Sequence, residues 1–304
     1  MSNRVLIASH DAGGAEILSS WLNQNKPNAV LVVAGPAKKI FKLKCKKYKF
    51  SNLNEALKKV DWVLCSSGWS SKFEKRIIAA SKKKGIKTVV FLDHWVNYLE
   101  RFQIKENKYI FPDEIWVGDI YAKKIASSIF NTITVIIKKN PYFADIISLQ
   151  KQKKKKYKKV KKTFLYVSEP KSAHDKLANY KGRTNNYDEH DAIKYFLSNL
   201  NSIEKAIDKV IFRKHPSENI KKYKWIQSVN EIKVSFSKSK SLISDINKAD
   251  IVVGCETMAM VIGLLMNKRV ISSVPPLGLR SRRISLPFKK IQKLSQLVKE
   301  YKNV

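Results

Sequence analysis

One pattern constrains this chain more than any other. Short, unbroken apolar runs end abruptly in clusters of polar residues and glycines, and amphipathic stretches separate them. "RVLIASH" (4–10), "NAVLVVAG" (28–35), "DWVLCSSG" (61–68), "KTVVFLDH" (87–94) and "DEIWVGD" (113–119) read as strands, and 14–25, 72–85 and 120–130 read as helices. Strands without polar alternation are buried on both faces, which is the signature of a parallel sheet covered by helices. Residues 1–150 are therefore expected to form a Rossmann-like domain.

The pattern then breaks. "KQKKKKYKKVKK" (151–162) holds nine lysines in twelve positions and cannot build a core. It reads as a basic linker or the exposed start of a strand. Alternation resumes with strands at 163–170, 209–216, 231–237, 250–256 and 269–274, and with helices at 188–206, 257–268 and 288–303. This predicts a second Rossmann-like domain over 163–304. The fold class is α/β, with two doubly wound domains facing a cleft. Such sheets bind ligands outside the carboxyl ends of their strands.

Composition narrows the function. Hydrophobic residues make up 44% of the 304, which argues against global disorder. Lys and Arg number 60 against 25 Asp and Glu, a net charge of +35. That excess fits a polyanionic partner, either nucleic acid or an anionic membrane. It also fits lysine-rich composition over solvated faces, and lysines occur on every predicted helix. No nucleic-acid recognition motif is present, so no specific nucleic-acid partner is expected. Cys45, Cys65 and Cys255 are widely spaced and no CxxC occurs, which disfavours a disulfide framework or a structural zinc site. The N-terminus lacks the features of a signal peptide. The best apolar run, 258–266, is far short of the roughly 20 residues that span a bilayer. A soluble cytoplasmic protein is expected, held at most peripherally at an inner membrane face by Lys151–Lys162.

The candidate chemistry lies at the strand ends. Three of five histidines, His10, His94 and His215, directly follow predicted strands. In "SHDAGGAE", Gly13 and Gly14 permit a tight turn and close approach at a helix start, where free N–H groups favour an anion. Asp11 is either a general base facing the cleft or a helix cap. "DHWVNYLERF" (93–102) places Asp93 and His94 beside aromatics, which suits either sugar contacts or a loop packed over the cleft. "FRKHPSE" carries Arg213, Lys214, His215, Pro216 and Ser217 just past a strand, since strand interiors avoid proline and clustered charge. "GCETMAM" sets Cys255, Glu256 and Thr257 where a strand meets a helix. There, either Glu256 accepts ribose hydroxyls and Thr257 reaches phosphate, or both cap the helix.

"FRKHPSE", followed about forty residues on by "ADIVVGCETMAMVIGLLMNKRVISS", resembles the C-terminal half of GT-B glycosyltransferases. The likeness is to the branch holding bacterial sialyltransferases, capsule polymerases and CDP-glycerol glycerophosphotransferases. The resemblance implies that His215 and Pro216 meet the donor phosphate, that Cys255, Glu256 and Thr257 hold the nucleotide, and that Asp11 matches the catalytic carboxylate. It covers most of the second domain and only the architecture of the first. The paired serines common in the second motif are replaced here by "CET". UDP-sugar 2-epimerases have a related fold and also pair a strand-end histidine with a glutamate before a helix.

The expected function is transfer of a sugar or polyol phosphate from a nucleotide-activated donor to a surface-glycan or lipid-linked acceptor. Asp11 and His215 are the catalytic pair, and His10, Gly13, Gly14, Asp93 and His94 stand on the acceptor side. No cofactor is expected, and the lack of a DxD triplet fits a metal-independent reaction. The alternatives are a nucleotide-sugar 2-epimerase or hydrolase of the same fold, and a charge-driven nucleic-acid binder.

Overall fold

The computed structural model describes residues 3–68, 71–151, 160–173, 187–229, 232–276 and 286–302. Most of the lysine run, residues 152–159, lies outside them. The chain divides into two compact units, Met1–Asp145 and Ile146–Val304.

The first unit carries a seven-stranded parallel sheet. Its strands are β1 (Val5–Ser9), β2 (Ala29–Val33), β3 (Lys49–Phe50), β4 (Trp62–Cys65), β5 (Lys87–Leu92), β8 (Glu114–Val117) and β9 (Thr134–Ile137), in the order β3-β2-β1-β4-β5-β8-β9. A small antiparallel hairpin, β6 (Gln103–Lys105) and β7 (Lys108–Tyr109), follows β5 in sequence. Every residue of β1 and β2 is buried, which accounts for their unbroken apolar sequence. The core includes Leu18, Leu22, Phe41, Leu64 and Phe91. Trp21, Trp62 and Trp116 meet with ring centroids 6.0–6.2 Å apart at its rim.

The second unit repeats the design with six parallel strands in the order β12-β11-β10-β13-β14-β15. These are β10 (Lys162–Val167), β11 (Ile207–Arg213), β12 (Val234–Phe236), β13 (Ile251–Gly254), β14 (Arg269–Ser272) and β15 (Ile291–Lys293). Phe164, Tyr166, Phe196, Phe212 and Tyr223 dominate its core. Truncating a side chain as buried as Phe212, 1% exposed, costs roughly 3–5 kcal/mol.

Both orders place the first strand of the unit third from one edge, inside the sheet, and run outward in opposite directions from it. The topological switch point is therefore β1/β4 in the first unit and β10/β13 in the second, and doubly wound sheets bind ligands at such points. All ten expected strands are present, each shorter than its apolar run because the terminal polar residues belong to loops. The expected helix at 188–206 covers only Glu189–Ser198 before a 3-10 turn, Leu200–Ser202. The expected helix at 288–303 begins at Leu294, because Ile291–Lys293 pairs with β14 as an edge strand. Among the described residues, no helix is long and apolar enough to cross a membrane.

Candidate functional site

At the carboxyl edge of the first sheet, β1 delivers His10 and Asp11 to the start of the helix Ala12–Asn25. Asp11 has the extended backbone of an N-cap, φ −87° and ψ 153°, yet its side chain makes no capping hydrogen bond. Its Oδ1 lies 2.6 Å from His10 Nδ1 instead. A carboxylate only accepts, so the imidazole proton sits on Nδ1. Two glycines, Gly68 and Gly35, make room around this pair, and Gly13 makes room for Asp93 beside it. A Cβ on Gly68 would lie 2.3 Å from Asp11 Oδ2, one on Gly35 would lie 2.6 Å from His10 Nε2, and one on Gly13 would lie 2.6 Å from Asp93 Oδ2. A Cβ on Gly14 would lie 2.2 Å from Ser66 Cβ. The close approach that Gly13 and Gly14 permit is thus to the protein's own Ser66 and Asp93. The Asp93 carboxylate lies over the first turn of this helix, where negative charge is favoured.

Beneath the pair lies Glu74, 3% exposed. Its Oε1 accepts from the His10 backbone N–H at 2.8 Å and from Ser66 Oγ at 3.0 Å, and Ser66 Oγ also meets Ser9 Oγ at 2.8 Å. Among the described residues, its buried Oε2 has no partner. Burial pushes the Glu74 carboxyl above its usual range and the nearby Asp11 charge adds to this, against the lowering effect of its hydrogen bonds. No sequence signal marked Glu74, because an acidic residue in a helical first turn is ordinary.

The loop after β5 is a packed structure. Asp93 Oδ1 pairs with Arg101 Nη1 at 2.6 Å, and that guanidinium also reaches the backbone carbonyls of Ser67 and Val96. His94 Nδ1 accepts from the Trp95 N–H at 2.9 Å, and Trp95 Nε1 donates to Asp119. Trp95, Tyr98 and Phe102 are buried, so these aromatics serve the core. The Tyr98 hydroxyl is buried without a partner among the described residues, and burial raises its pKa.

At the carboxyl edge of the second sheet, His215 Nδ1 faces Ser217 Oγ at 2.7 Å and accepts from the Ser217 N–H at 3.3 Å. The proton of neutral His215 therefore sits on Nε2. Burial lowers the His215 pKa against the raising effect of Glu218 and Glu169, so His215 is a neutral donor at pH 7 rather than a cation. Lys214 Nζ lies on the carbonyls of His215 and Pro216, 3.2 and 3.4 Å away. Arg213 is committed elsewhere: its Nη1 meets Asp245 Oδ2 at 2.5 Å and the Ser239 carbonyl at 3.0 Å.

From the strand before the next helix, the Glu256 N–H donates to Glu169 Oε2 at 2.9 Å and the Glu256 carboxylate accepts from Lys171 Nζ at 3.2 Å. Lys171 is fully buried, and its ammonium lies 5.4 Å from the centroid of the Tyr187 ring. Thr257 caps the helix Met258–Leu265 through the Ala259 N–H. Cys255 is buried, and burial pushes its thiol up to about 12. A second network joins Ser168, Tyr223, Glu218, Lys222 and Glu189. Burial would raise the Glu189 pKa, but hydrogen bonds from Lys222 and Ser172 outweigh it and hold the carboxyl at about 2. Sequence reasoning missed Glu169 and Lys171, although "SEPK" follows β10 as "SHDA" follows β1.

The fold has parallels among solved structures. The fold is similar to that of the S. aureus MnaA–UDP co-structure, 11% identical, covering 99% of this chain and 88% of that one at TM-score 0.61. It is also similar to UDP-GlcNAc 2-epimerase from Methanocaldococcus jannaschii, 11% identical, covering 99% of this chain and all of that one at TM-score 0.59. The chain has a GT-B-type fold of two Rossmann-like units. The wall teichoic acid polymerase TagF matches at TM-score 0.47, with 12% identity, over 100% of this chain and 80% of that one. No protein-family model and no curated sequence matches the chain.

Proposed function

We propose that the protein is a glycosyltransferase that moves a sugar or polyol phosphate from a nucleotide-activated donor to a glycan acceptor, with Asp11 as the base. The observation that carries this reading is Asp11 at an N-cap it does not cap, paired with His10 at the switch point of its sheet. His10 orients the carboxylate and leaves Oδ2, over Gly68, to take the proton of an acceptor hydroxyl. The freed oxygen bonds to the transferred group, and the bond to the donor's phosphate breaks with its electron pair leaving on the nucleotide.

The second unit takes the donor in this reading. His215 Nε2–H, Lys214 and the N–H groups opening the helix Met258–Leu265 supply partners for the leaving phosphate. Glu256, held by Lys171 and Glu169, takes the nucleoside end. Ser217 fixes the His215 ring, Pro216 shapes its turn, and Cys255 packs behind Glu256. We assign Arg213, neutralised by Asp245, to holding the end of β11 in place. No step calls on a metal.

A second reading, 2-epimerisation of a nucleotide sugar, is favoured by one observation: the two neighbours above TM-score 0.5 described here are a UDP co-structure and a UDP-GlcNAc 2-epimerase, matched over nearly the whole chain. A thermal-shift screen against CMP, CDP, UDP, GDP and dTDP identifies the nucleotide, since a ligand that binds the folded state raises Tm by mass action. The matching nucleotide sugar is then followed by NMR. Consumption only in the presence of an acceptor supports transfer, and appearance of the C2 epimer without acceptor replaces it with epimerisation. If no nucleotide raises Tm, both readings fail.

A further inference from the structure

The stretch from Ile17 to Asn54 contains no acidic residue, and seven lysines crowd into positions 38–49. The structure sorts this stretch into two sides. Phe41, Cys45 and Tyr48 are buried and anchor it to the first unit's core, while all seven lysines are exposed. Among them, Lys44 is paired with Glu16. Two large apolar side chains of this stretch are exposed as well: Leu43, 71% exposed, on the helix Ala37–Lys44, and Phe50, 45% exposed, on the edge strand β3. Lysines on an edge strand discourage unwanted strand pairing, which accounts for Lys49. It does not account for the helix, nor for Leu43 in water.

We propose that this face, the exposed side of Ala37–Lys44 together with β3, docks on an anionic lipid bilayer. Cations interleaved with protruding Leu and Phe side chains match a surface with negative headgroups above an apolar layer. A polyanion such as nucleic acid would satisfy the lysines but not Leu43. The face also adjoins the candidate base, because the Ala37 N–H donates to the His10 carbonyl at 3.0 Å and the helix runs only about 12 Å from there. Resting on the reading of Asp11 as the acceptor-side base, docking here would bring lipid-linked acceptors beside it.

The test needs no nucleotide, so it stands or falls apart from the transferase reading. Cys45, Cys65 and Cys255 are buried, and burial pushes the Cys45 thiol up to about 11, which makes all three poor labelling targets. Leu43→Cys and, as a control beside the lysine run, Val160→Cys are each labelled with a solvatochromic thiol reagent and titrated with phosphatidylcholine vesicles with and without 30% phosphatidylglycerol (about 30%, to set a strong negative potential). The expected result is a blue shift at position 43 with anionic vesicles only. Replacing Lys42, Lys46, Lys47 and Lys49 with Gln is expected to lower vesicle partitioning at least ~10²-fold, with Tm unchanged. Vesicle binding with no shift at position 43, wild-type partitioning by the four-lysine variant, a shift with single-stranded oligonucleotide but not vesicles, or no vesicle binding at all would overturn the proposal.

Discussion

Asp11 occupies the N-cap of the helix Ala12–Asn25 and gives its carboxylate to His10 instead, 2.6 Å away at Nδ1. Capping is the ordinary reason for Asp at this position, and losing a cap costs about 1 kcal/mol. Here the helix forgoes that contribution, so another use must hold the side chain in place. Residues that break a local rule concentrate at functional sites.

Asp11→Asn is accordingly expected to reduce transfer by at least ~10²-fold while leaving Tm and nucleotide affinity close to wild type. The amide keeps the shape but cannot accept the acceptor's proton. Paired calorimetry and turnover measurements check this. A large fall in Tm with activity retained would assign Asp11 to the stability of the helix.

Gly68→Ala tests the same carboxylate from the other side. Its Cβ would sit 2.3 Å from Asp11 Oδ2 and must displace it. Gly68 does not have a left-handed backbone, so alanine is conformationally acceptable there. Activity is expected to fall steeply with only a modest loss of Tm. Gly85→Ala gives the contrast: its φ is +67° with open space around the Cβ position, so it is expected to cost about 1 kcal/mol of stability and no activity.

These two residues also mark how far the sequence could be read. The β strands were legible because parallel strands buried on both faces must be apolar throughout, and the residues after them had to lie on the ligand edge. Asp11, His10 and His215 were placed at the carboxyl ends of strands that way, and the structure has them there. The partners were not legible, because strand order decides which loops meet. Ser66 reaches Ser9, and Glu74 reaches His10, only because β4 lies beside β1, and Glu169 reaches Glu256 only because β10 lies beside β13. Arg213, expected just past the strand beside His215, is taken up by Asp245, thirty-two residues on, which nothing local announced. The edge strands β9 and β15 escaped because they are short and half-exposed: β9 has only Val135–Ile137 between threonine and lysines, and β15 reads Ile-Gln-Lys.

Glu74 should leave a signature in the pH dependence of stability. Its folded pKa is raised, first by burial and then by Asp11. A raised carboxyl binds its proton more tightly in the folded state, so stability is lost as pH rises from the unfolded value toward the folded one. Glu74→Gln keeps an acceptor for the His10 N–H and Ser66 Oγ and removes this titration. The variant is expected to match wild type in Tm near pH 4 and to gain on it progressively as pH rises to 8. A constant difference across that range would show that Glu74 is ionised in both states.

His215 carries the last expectation. Its Nδ1 accepts from Ser217, and burial depresses its pKa below the usual 6.5. It is therefore neutral at pH 7 and offers Nε2–H as a donor to the leaving phosphate. Removing one such donor from a transition state costs about 10²–10³ in kcat. His215→Ala is expected to lose that much with the fold intact, because the side chain is only partly buried and packs into neither core cluster. Neutrality makes a second, sharper demand. A cationic His215 would lose activity as pH rose through its pKa, whereas a neutral donor loses none between pH 6.5 and 8. The kcat profile of the wild type over that range, set against Ser217→Ala, which removes the hydroxyl at Nδ1 and leaves only the longer bond from the backbone N–H, distinguishes the two. A wild-type rate that falls through this window and flattens in His215→Ala would make His215 a cation in the working enzyme.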